Sequence, residues 1–277
     1  MAPQIPRSLI YYPHGPSGIE SDLKALAASP YYSNIVLGQF HFNEPDGHIT
    51  WNETTLSQVS KSVWTAVGNL AKGQYPKIVS MQLGTAGNGT WKWIAENMDA
   101  AAKSLIDIVK VNGTYPIIGI DLDPEPPGDV PLDAMYNFTL KLGSYKASNK
   151  FYLSHVPVPW DGAYFPKLYG PTYWAKMAPF IDWITPQWYG TNGAGLVSAY
   201  KAFVAGLTNP KQPLPPPIVV AGQEFDNHAT PAQLTELLTA IASLRKTYST
   251  NWGGIGIWSY PLPTSPDWAQ AISKALH

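Results

Sequence analysis

The chain contains an apolar stretch that ends in alternating acids, Tyr115-Pro116-Ile117-Ile118-Gly119-Ile120-Asp121-Leu122-Asp123-Pro124-Glu125-Pro126-Pro127. A β-branched apolar run bounded by proline and glycine is typical of a strand that is buried on both faces, as in a parallel sheet. Because side chains alternate along a strand, Asp121, Asp123 and Glu125 share one face at its C-terminal end. Burying unpaired carboxylates is costly, so this spacing indicates that the acids serve a chemical purpose.

Apolar runs of strand length alternate with amphipathic runs of helix length on both sides of this stretch. Besides the acidic strand, strands are predicted at 8–12, 34–42, 77–84, 150–157, 180–189, 218–221 and 254–259. Helices are predicted at 21–28, 52–70, 91–111, 132–148, 173–177, 195–205, 231–248 and 268–276. Eight strands alternating with helices predict an α/β fold, a closed (β/α)8 TIM barrel that forms one domain over residues 1–277.

The composition excludes several classes of function. The net charge is −1 and no basic run occurs, so we expect no nucleic-acid partner. The absence of cysteine excludes disulfides, thiolate catalysis and cysteine-based zinc sites. No apolar run approaches the length of a membrane span, and the opening Met-Ala-Pro-Gln does not resemble a signal peptide. We therefore expect no membrane association, while secreted and cytoplasmic locations both remain open.

Four sequons for N-glycosylation occur, at Asn52, Asn88, Asn112 and Asn137, and they either reflect a secretory origin or occur by chance.

We expect the protein to be a monomer.

The active site of a (β/α)8 barrel lies at the C-terminal ends of its strands, which gives a short set of candidate residues. The polar and aromatic residues at the predicted ends are Tyr12, His41, Asn43, Gln82, Asp121, Asp123, Glu125, His155, Gln187, Tyr189, Glu224 and Trp258. No histidine pair has zinc-site spacing, and a calcium loop starting at Asp121 would need glycine at Pro126 and glutamate at Leu132. We therefore expect no metal and no cofactor.

Carboxylate chemistry fits these residues better than metal binding does. Residues i and i+2 of a strand are about 6.5–7 Å apart, whereas an ordinary retaining glycosidase places its two carboxyl groups about 5–5.5 Å apart. Acids on one strand therefore favour a mechanism in which the substrate supplies the nucleophile and the protein supplies one acid and one orienting carboxylate. Crowding of like charges raises the pKa of one member, and we expect the outermost acid, Glu125, to stay protonated as the general acid.

Four strands carry a resemblance to a known family. Residues 119–125 resemble the Asp-Gly-x-Asp-x-Asp-x-Glu signature of family 18 glycoside hydrolases, which include chitinases and endo-β-N-acetylglucosaminidases. Residues 152–157 resemble the Tyr-Leu-Thr-x-x-Pro of the compact plant and fungal chitinases, residues 187–189 their Gln-x-Tyr, and residues 254–259 their Gly-Gly-x-x-x-Trp-Ser. The agreement in order and spacing covers most of the chain.

The resemblance implies a retaining hydrolase that cleaves β-1,4 bonds at N-acetylglucosamine, in chitin, in its oligosaccharides or in the core of N-glycans, by substrate-assisted catalysis. Glu125 would protonate the glycosidic oxygen, while Asp123, supported by Asp121, would hold the 2-acetamido group. Tyr189 would hydrogen-bond the same group. The region around predicted strand seven leaves no room for a large inserted α+β domain.

The resemblance and the strand-end positions together give a set of expected substrate contacts. Gln187 would border the acetamido subsite and Trp258 would form its floor. Further candidates for substrate contact are Tyr12, His41, Gln82 and His155, with core packing as the alternative for the two histidines. Glu224 either reaches the groove or lies at the surface.

Three departures from the family pattern leave an alternative function open. Ile118 replaces the first acid of the signature, Pro124 removes a backbone donor, and residues 82–85 differ from the usual Ser-x-Gly-Gly. The alternative is a chitinase-like carbohydrate-binding protein, similar to a lectin, with little or no turnover. Retention of the acid at Glu125 favours the enzyme.

Overall fold

Parallel strands close into a barrel in the computed structural model, which describes residues 6–43, 46–84, 89–110, 114–125, 131–159, 165–207, 219–249, 252–265 and 267–277. In chain order the strands are β1 (Arg7–Tyr12), β2 (Asn34–Phe42), β3 (Ile49–Trp51), β4 (Thr54–Thr55), β5 (Ile78–Leu83), β6 (Gly119–Leu122), β7 (Tyr152–His155), β8 (Trp183–Ile184), β9 (Val219–Glu224) and β10 (Trp252–Trp258). The parallel order is β1, β10, β9, β8, β7, β6, β5, β2, and β1 also pairs with β2. This pairing closes the sheet and confirms the predicted (β/α)8 barrel.

Helices follow the barrel strands along the chain. They are α1 (Glu20–Ala28), α2 (Lys61–Lys72), α3 (Thr90–Glu96), α4 (Met98–Val109), α5 (Leu132–Asn149), α6 (Phe165–Leu168), α7 (Pro171–Met177), α8 (Gly193–Leu207), α9 (Pro231–Thr247) and α10 (Trp268–Leu276). Hydroxyl side chains cap the N-terminal ends of two of these helices. Ser60 accepts a hydrogen bond from the Val63 amide at the start of α2, and Thr230 forms a capping box with Gln233 at the start of α9. No helix in the described part of the chain is both long and apolar enough to cross a membrane.

The predicted helix at 52–70 is wrong in its first half. Strands β3 and β4 form an antiparallel hairpin on β2, and α2 begins only at Lys61. Trp51 causes this difference, since its buried ring stacks on Phe40 with centroids 5.4 Å apart, and its Nε1 donates a hydrogen bond to the Gly38 carbonyl. The predicted helix at 91–111 is divided at Asn97 into α3 and α4.

Some predicted features lie outside the described residues, namely the sequons at Asn88 and Asn112, Pro126, and residue 218 of predicted strand seven. Asn52 is described, and its side chain is already engaged, since its Nδ2 donates to the Pro13 carbonyl at 2.9 Å.

Side-chain alternation separates two apolar layers. One cluster gathers residues from strands around the barrel and occupies its interior: Leu9, Tyr11, Val36, Val156, Trp183 and Val220. The larger cluster includes Ile10 and Tyr12 and lies between the strands and the helices. Of two neighbouring residues on a strand, one therefore faces the barrel interior and the other faces the helices. This alternation decides which polar side chains reach the site.

Candidate active site

The three acids of the opening stretch form a row from the barrel interior towards solvent. Asp121 lies on β6, and Asp123 and Glu125 follow within three residues of the strand end. Asp121 and Asp123 are each 0% exposed, whereas Glu125 is half-buried. The parallel strand places the outermost acid at the C-terminal mouth, as predicted. In the described ranges no group of three or more His, Cys, Asp or Glu is arranged to hold a metal ion.

Asp121 receives hydrogen bonds from two hydroxyl groups of other strands. The Tyr11 hydroxyl donates to Oδ2 at 2.9 Å, and the Ser154 hydroxyl donates to Oδ1. Burial raises the pKa of Asp121 to about 7, and the hydrogen bonds from Ser154 and Tyr11 oppose that rise. Asp121 is therefore held firmly while it remains close to its protonation midpoint at neutral pH.

Asp123 is held by two amide groups, one on each carboxylate oxygen. Gln82 Nε2 donates to Oδ2 at 2.8 Å, and Gln187 Nε2 donates to Oδ1 at 3.0 Å. The same Gln187 nitrogen also lies 3.1 Å from Oε1 of Glu125, so one amide group joins the two outer acids. Burial, followed by the charges of Glu125 and Asp121, raises the pKa of Asp123 well above its usual range. Crowding of like charges thus adds to burial in raising the pKa of Asp123.

Two aromatic residues complete the mouth of the barrel. Tyr189 is half-buried two residues after Gln187, and burial, followed by the charges of Asp123 and Glu125, raises the pKa of its hydroxyl well above the usual range. Trp258 ends β10, is half-buried, and its ring centroid lies 5.8 Å from that of Tyr11. The interior cluster therefore supports Trp258 from below and leaves part of the ring accessible.

Cavities adjoin both aromatic residues. One of about 450 Å³ lies against Trp258 and is lined by Glu224, Phe225, Asp226, His228, Ala229, Gln233, Trp258 and Ser259. Another of about 420 Å³ is mostly apolar and is lined by Pro159, Trp188, Tyr189, Thr191, Ala199, Ala202 and Phe203. Glu224 is exposed, and its charge contributes to the raised pKa of Tyr189. This acid therefore lies at the mouth of the barrel, near the candidate site.

Tyr12 does not lie on the interior face, which corrects the expectation that it contacts substrate. It belongs to the layer between strands and helices, where its hydroxyl donates to Asp22 at 2.9 Å. Its neighbour Tyr11 faces the interior instead and binds Asp121. The alternation of side chains along a strand could have indicated this difference, because only one of two adjacent tyrosines on β1 can face the interior with the acids.

His155 is a core residue, and this corrects its assignment to the substrate site. It is 0% exposed, its Nε2 lies 3.1 Å from Thr139 Oγ1, and its Nδ1 lies 3.0 Å from the Tyr169 hydroxyl. Burial lowers its pKa to about 3, so the imidazole stays neutral. Ser154, which precedes it, points to Asp121, and the sequence interpretation overlooked this residue.

Two further candidates take different positions from those expected. His41 is buried on β2 and pairs with Thr50 of the hairpin; burial lowers its pKa, and the charge of Glu53 opposes that change. Gln82 is buried as well, and its amide group contacts Asp123. The structure thus brings Gln82, Gln187 and the three acids together, and it places His41 beside the hairpin.

Replacing Tyr11 by Phe is expected to raise the pKa of Asp121 by about one unit, because the lost hydrogen bond favours the ionised carboxylate. The matched control is Tyr12→Phe, which removes a tyrosine hydrogen bond to a different carboxylate. Carbon-13 NMR titration of the side-chain carboxyl measures the pKa of Asp121 in both variants. Equal shifts in the two variants would contradict the placement of Tyr11 and Tyr12.

Comparison with known proteins supports the fold at full length. No protein-family model matches the chain, and a search of curated proteins found no match either. Among solved structures, a GH18 chitinase from Pseudoalteromonas aurantia superposes with a TM-score of 0.71 at 20% identity, covering 98% of this chain and 100% of that chain. A GH18 chitinase from Cycas revoluta in complex with (GlcNAc)3 gives 0.59 at 13% identity, covering 98% of each chain.

The same barrel also occurs in a protein described by a different activity. A xylanase-α-amylase inhibitor protein in complex with trehalose superposes with a TM-score of 0.62 at 13% identity, covering 98% of this chain and 100% of that chain. The chain is thus a (β/α)8-barrel protein with a row of acids at its mouth, and its fold is that of the GH18 chitinases. Identities this low establish the fold, and the function has to be argued from the site.

Proposed function

We propose that the chain is a glycoside hydrolase of the family 18 type, which cleaves a β-1,4 bond next to N-acetylglucosamine with retention of configuration. One observation carries the proposal: the Gln187 amide group joins Asp123 and Glu125, at 3.0 and 3.1 Å. This contact couples a buried orienting carboxylate to a partly exposed acid at the barrel mouth. Substrate-assisted hydrolysis needs that pair of roles.

In the first step Glu125 donates its proton to the glycosidic oxygen as the bond from that oxygen to the anomeric carbon breaks. The carbonyl oxygen of the 2-acetamido group attacks the anomeric carbon, and the positive charge that develops on the acetamido group is stabilised by the carboxylate of Asp123. Burial raises the pKa of Asp123, and the hydrogen bonds that Gln82 and Gln187 donate to its two oxygens oppose that rise and favour the carboxylate that this step needs.

In the second step water attacks the anomeric carbon and opens the ring formed by the acetamido group. The Glu125 carboxylate accepts a proton from that water, so the acid returns to its starting state. Two successive inversions at the anomeric carbon give net retention.

The aromatic residues fit the sugar-binding part of the proposal. The half-buried Trp258 ring is suited to stack on the apolar face of a pyranose, and the Tyr189 hydroxyl is suited to bond the acetamido oxygen. The cavity against Trp258 has room for a further sugar, whose hydroxyl groups would meet the carboxylates of Glu224 and Asp226. An oligo- or polysaccharide that contains N-acetylglucosamine is therefore the proposed substrate.

A panel of three substrates tests the proposal: an N-acetylglucosamine hexamer, a high-mannose glycopeptide, and a glucose hexamer joined by β-1,4 bonds that lacks acetamido groups. We expect product from the first or the second, with the β-anomer in excess at early times by proton NMR, and no product from the third. Which of the first two is cleaved separates a chitinase from an endo-β-N-acetylglucosaminidase. Equal cleavage of the glucose hexamer would contradict substrate assistance.

The second candidate is a carbohydrate-binding protein with little or no turnover. The observation that favours it is the occurrence of this barrel in an inhibitor protein. Calorimetric binding of the N-acetylglucosamine hexamer without release of product over a day would support this candidate and contradict the hydrolase.

A further inference from the structure

Gln82 lies on β5 and its side chain is enclosed by the barrel, with 2% of the residue exposed. Its backbone pairs in register with Asp121, yet its Nε2 reaches Oδ2 of Asp123, at 2.8 Å. We propose that Gln82 is a positioning residue, which holds the Asp123 carboxylate in the orientation that faces Glu125. The inference rests on the proposed hydrolase function for its catalytic consequence.

The hydrogen bonds of the two inner acids come from separate sets of donors. The oxygens of Asp121 accept from Tyr11 and Ser154, while those of Asp123 accept from Gln82 and Gln187. Donors on both oxygens of one carboxylate fix the plane of the group. With Gln187 alone on one oxygen, the plane of the Asp123 carboxylate would be free to turn about the bond between its β-carbon and its carboxyl carbon.

The orientation of the Gln82 amide group is itself determined. Its Oε1 is buried and has no hydrogen-bond partner among the described residues, which is uncommon for a buried acceptor. Turning the amide over would place Oε1 against Oδ2 of Asp123, where two acceptors repel each other. Oε1 therefore lacks a partner because Nε2 of the same amide group donates to Asp123.

Gly38 on β2 leaves the space that this side chain occupies. A β-carbon at position 38 would lie 2.5 Å from Oε1 of Gln82, which is closer than such atoms approach. The positioning contact thus depends on the absence of a side chain on the neighbouring strand. Because an amide group does not ionise, it donates to Asp123 at every pH at which the enzyme is folded.

Two substitutions of Gln82 test the proposal. Gln82→Met keeps the approximate size and removes the donor, and it is expected to lower kcat on an N-acetylglucosamine hexamer by about 10- to 100-fold, with KM changed less than about 3-fold. The acid limb of the pH profile should move up by about one unit, because the lost hydrogen bond favoured the ionised Asp123. Gln82→Glu donates only when the introduced acid is protonated, so its kcat relative to that of the wild type at the same pH should rise as the pH falls.

Gln223→Met is the matched control. Gln223 is a buried glutamine on β9, 2% exposed, whose amide group donates to backbone carbonyls of Trp188 and Gly222. We expect this control to lower the melting temperature and to leave the acid limb where it is in the wild type. Equal losses of kcat in Gln82→Met and Gln223→Met, with neither acid limb moved, would make Gln82 a purely structural residue and overturn the proposal.

A readout that needs no turnover separates this inference from the proposed function. Carbon-13 NMR titration of the Asp123 carboxyl, assigned with Asp123→Asn, should show a higher pKa in Gln82→Met than in the wild type. An unchanged pKa overturns the positioning role. Failure of the wild type to cleave any acetamido substrate overturns the hydrolase, and the titration then still decides whether Gln82 holds Asp123.

Discussion

Replacing Glu125 by Gln is expected to lower kcat on an N-acetylglucosamine hexamer by about 10²- to 10⁴-fold, the range that a positioned general acid contributes. The amide group has no proton to give to the glycosidic oxygen. Its oxygen can still accept the hydrogen bond from Gln187 Nε2, which lies 3.1 Å from the carboxylate in the wild type. Binding of the hexamer and the melting temperature should therefore stay close to those of the wild type.

A change of leaving group makes this test more specific. An N-acetylglucosaminide with a phenol leaving group of low pKa needs little protonation, so Glu125→Gln should lose far less activity on it than on the hexamer. Glu236→Gln is the control, because it removes the same charge from an exposed position on α9. Retention of more than about a tenth of the hexamer activity by Glu125→Gln would remove Glu125 from the role of general acid.

Replacing Asp121 by Asn is expected to change how stability depends on pH. The pKa of Asp121 is about 7 in the folded protein, against an ordinary value of 3.8, because burial disfavours the charged form. The folded state thus binds a proton that the unfolded state has released. The stabilisation is fully present below about pH 4 and is lost as the pH rises through about 7. Asn is neutral throughout, so it does not show this loss.

The measurement is the free energy of urea unfolding of both proteins between pH 4 and pH 8. The free energy of Asp121→Asn relative to the wild type should rise by up to about 4 kcal/mol across this window. The charge of Asp121 also raises the pKa of Asp123, so the measured slope contains the response of both acids. Any loss of hydrogen bonds in the variant adds a constant offset, and the slope is therefore the quantity to compare.

The wild-type curve alone would hide this effect. The pKa of His155 is lowered to about 3 from 6.5, so its contribution is present above pH 6.5 and lost as the pH falls towards 3. Between about pH 4 and 6.5 the slopes of Asp121 and His155 have opposite signs. Asp107→Asn, on the exposed face of α4, is the control for a general effect of removing an acid. Parallel curves for the wild type and Asp121→Asn would show that the carboxyl of Asp121 titrates normally.

Local sequence patterns predict much of the fold and part of the site. Hydrophobic periodicity predicts most barrel strands and helices, because a buried parallel strand and an amphipathic helix differ in the spacing of their apolar residues. The i, i+2, i+4 spacing of the acids predicts one shared face at the mouth of the barrel, and the row from Asp121 to Glu125 lies there. The hairpin at β3 and β4 escaped prediction, because the packing of Trp51 on Phe40 overrides the helical pattern that follows it.

Partners across the barrel depend on more than sequence spacing. Tyr12 and His155 stand at strand ends as predicted, yet both face the helices, while Tyr11 and Ser154 next to them bind Asp121. A shift of one residue in parity or register exchanges the inner and outer faces of a strand, and the alignment of strands that are distant in the chain sets that register. The amino-acid order thus determined the barrel and the row of acids, since both follow from periodicity within single segments. Closure of the sheet decided which hydroxyl and amide groups reach each acid, because those contacts join residues more than 30 positions apart.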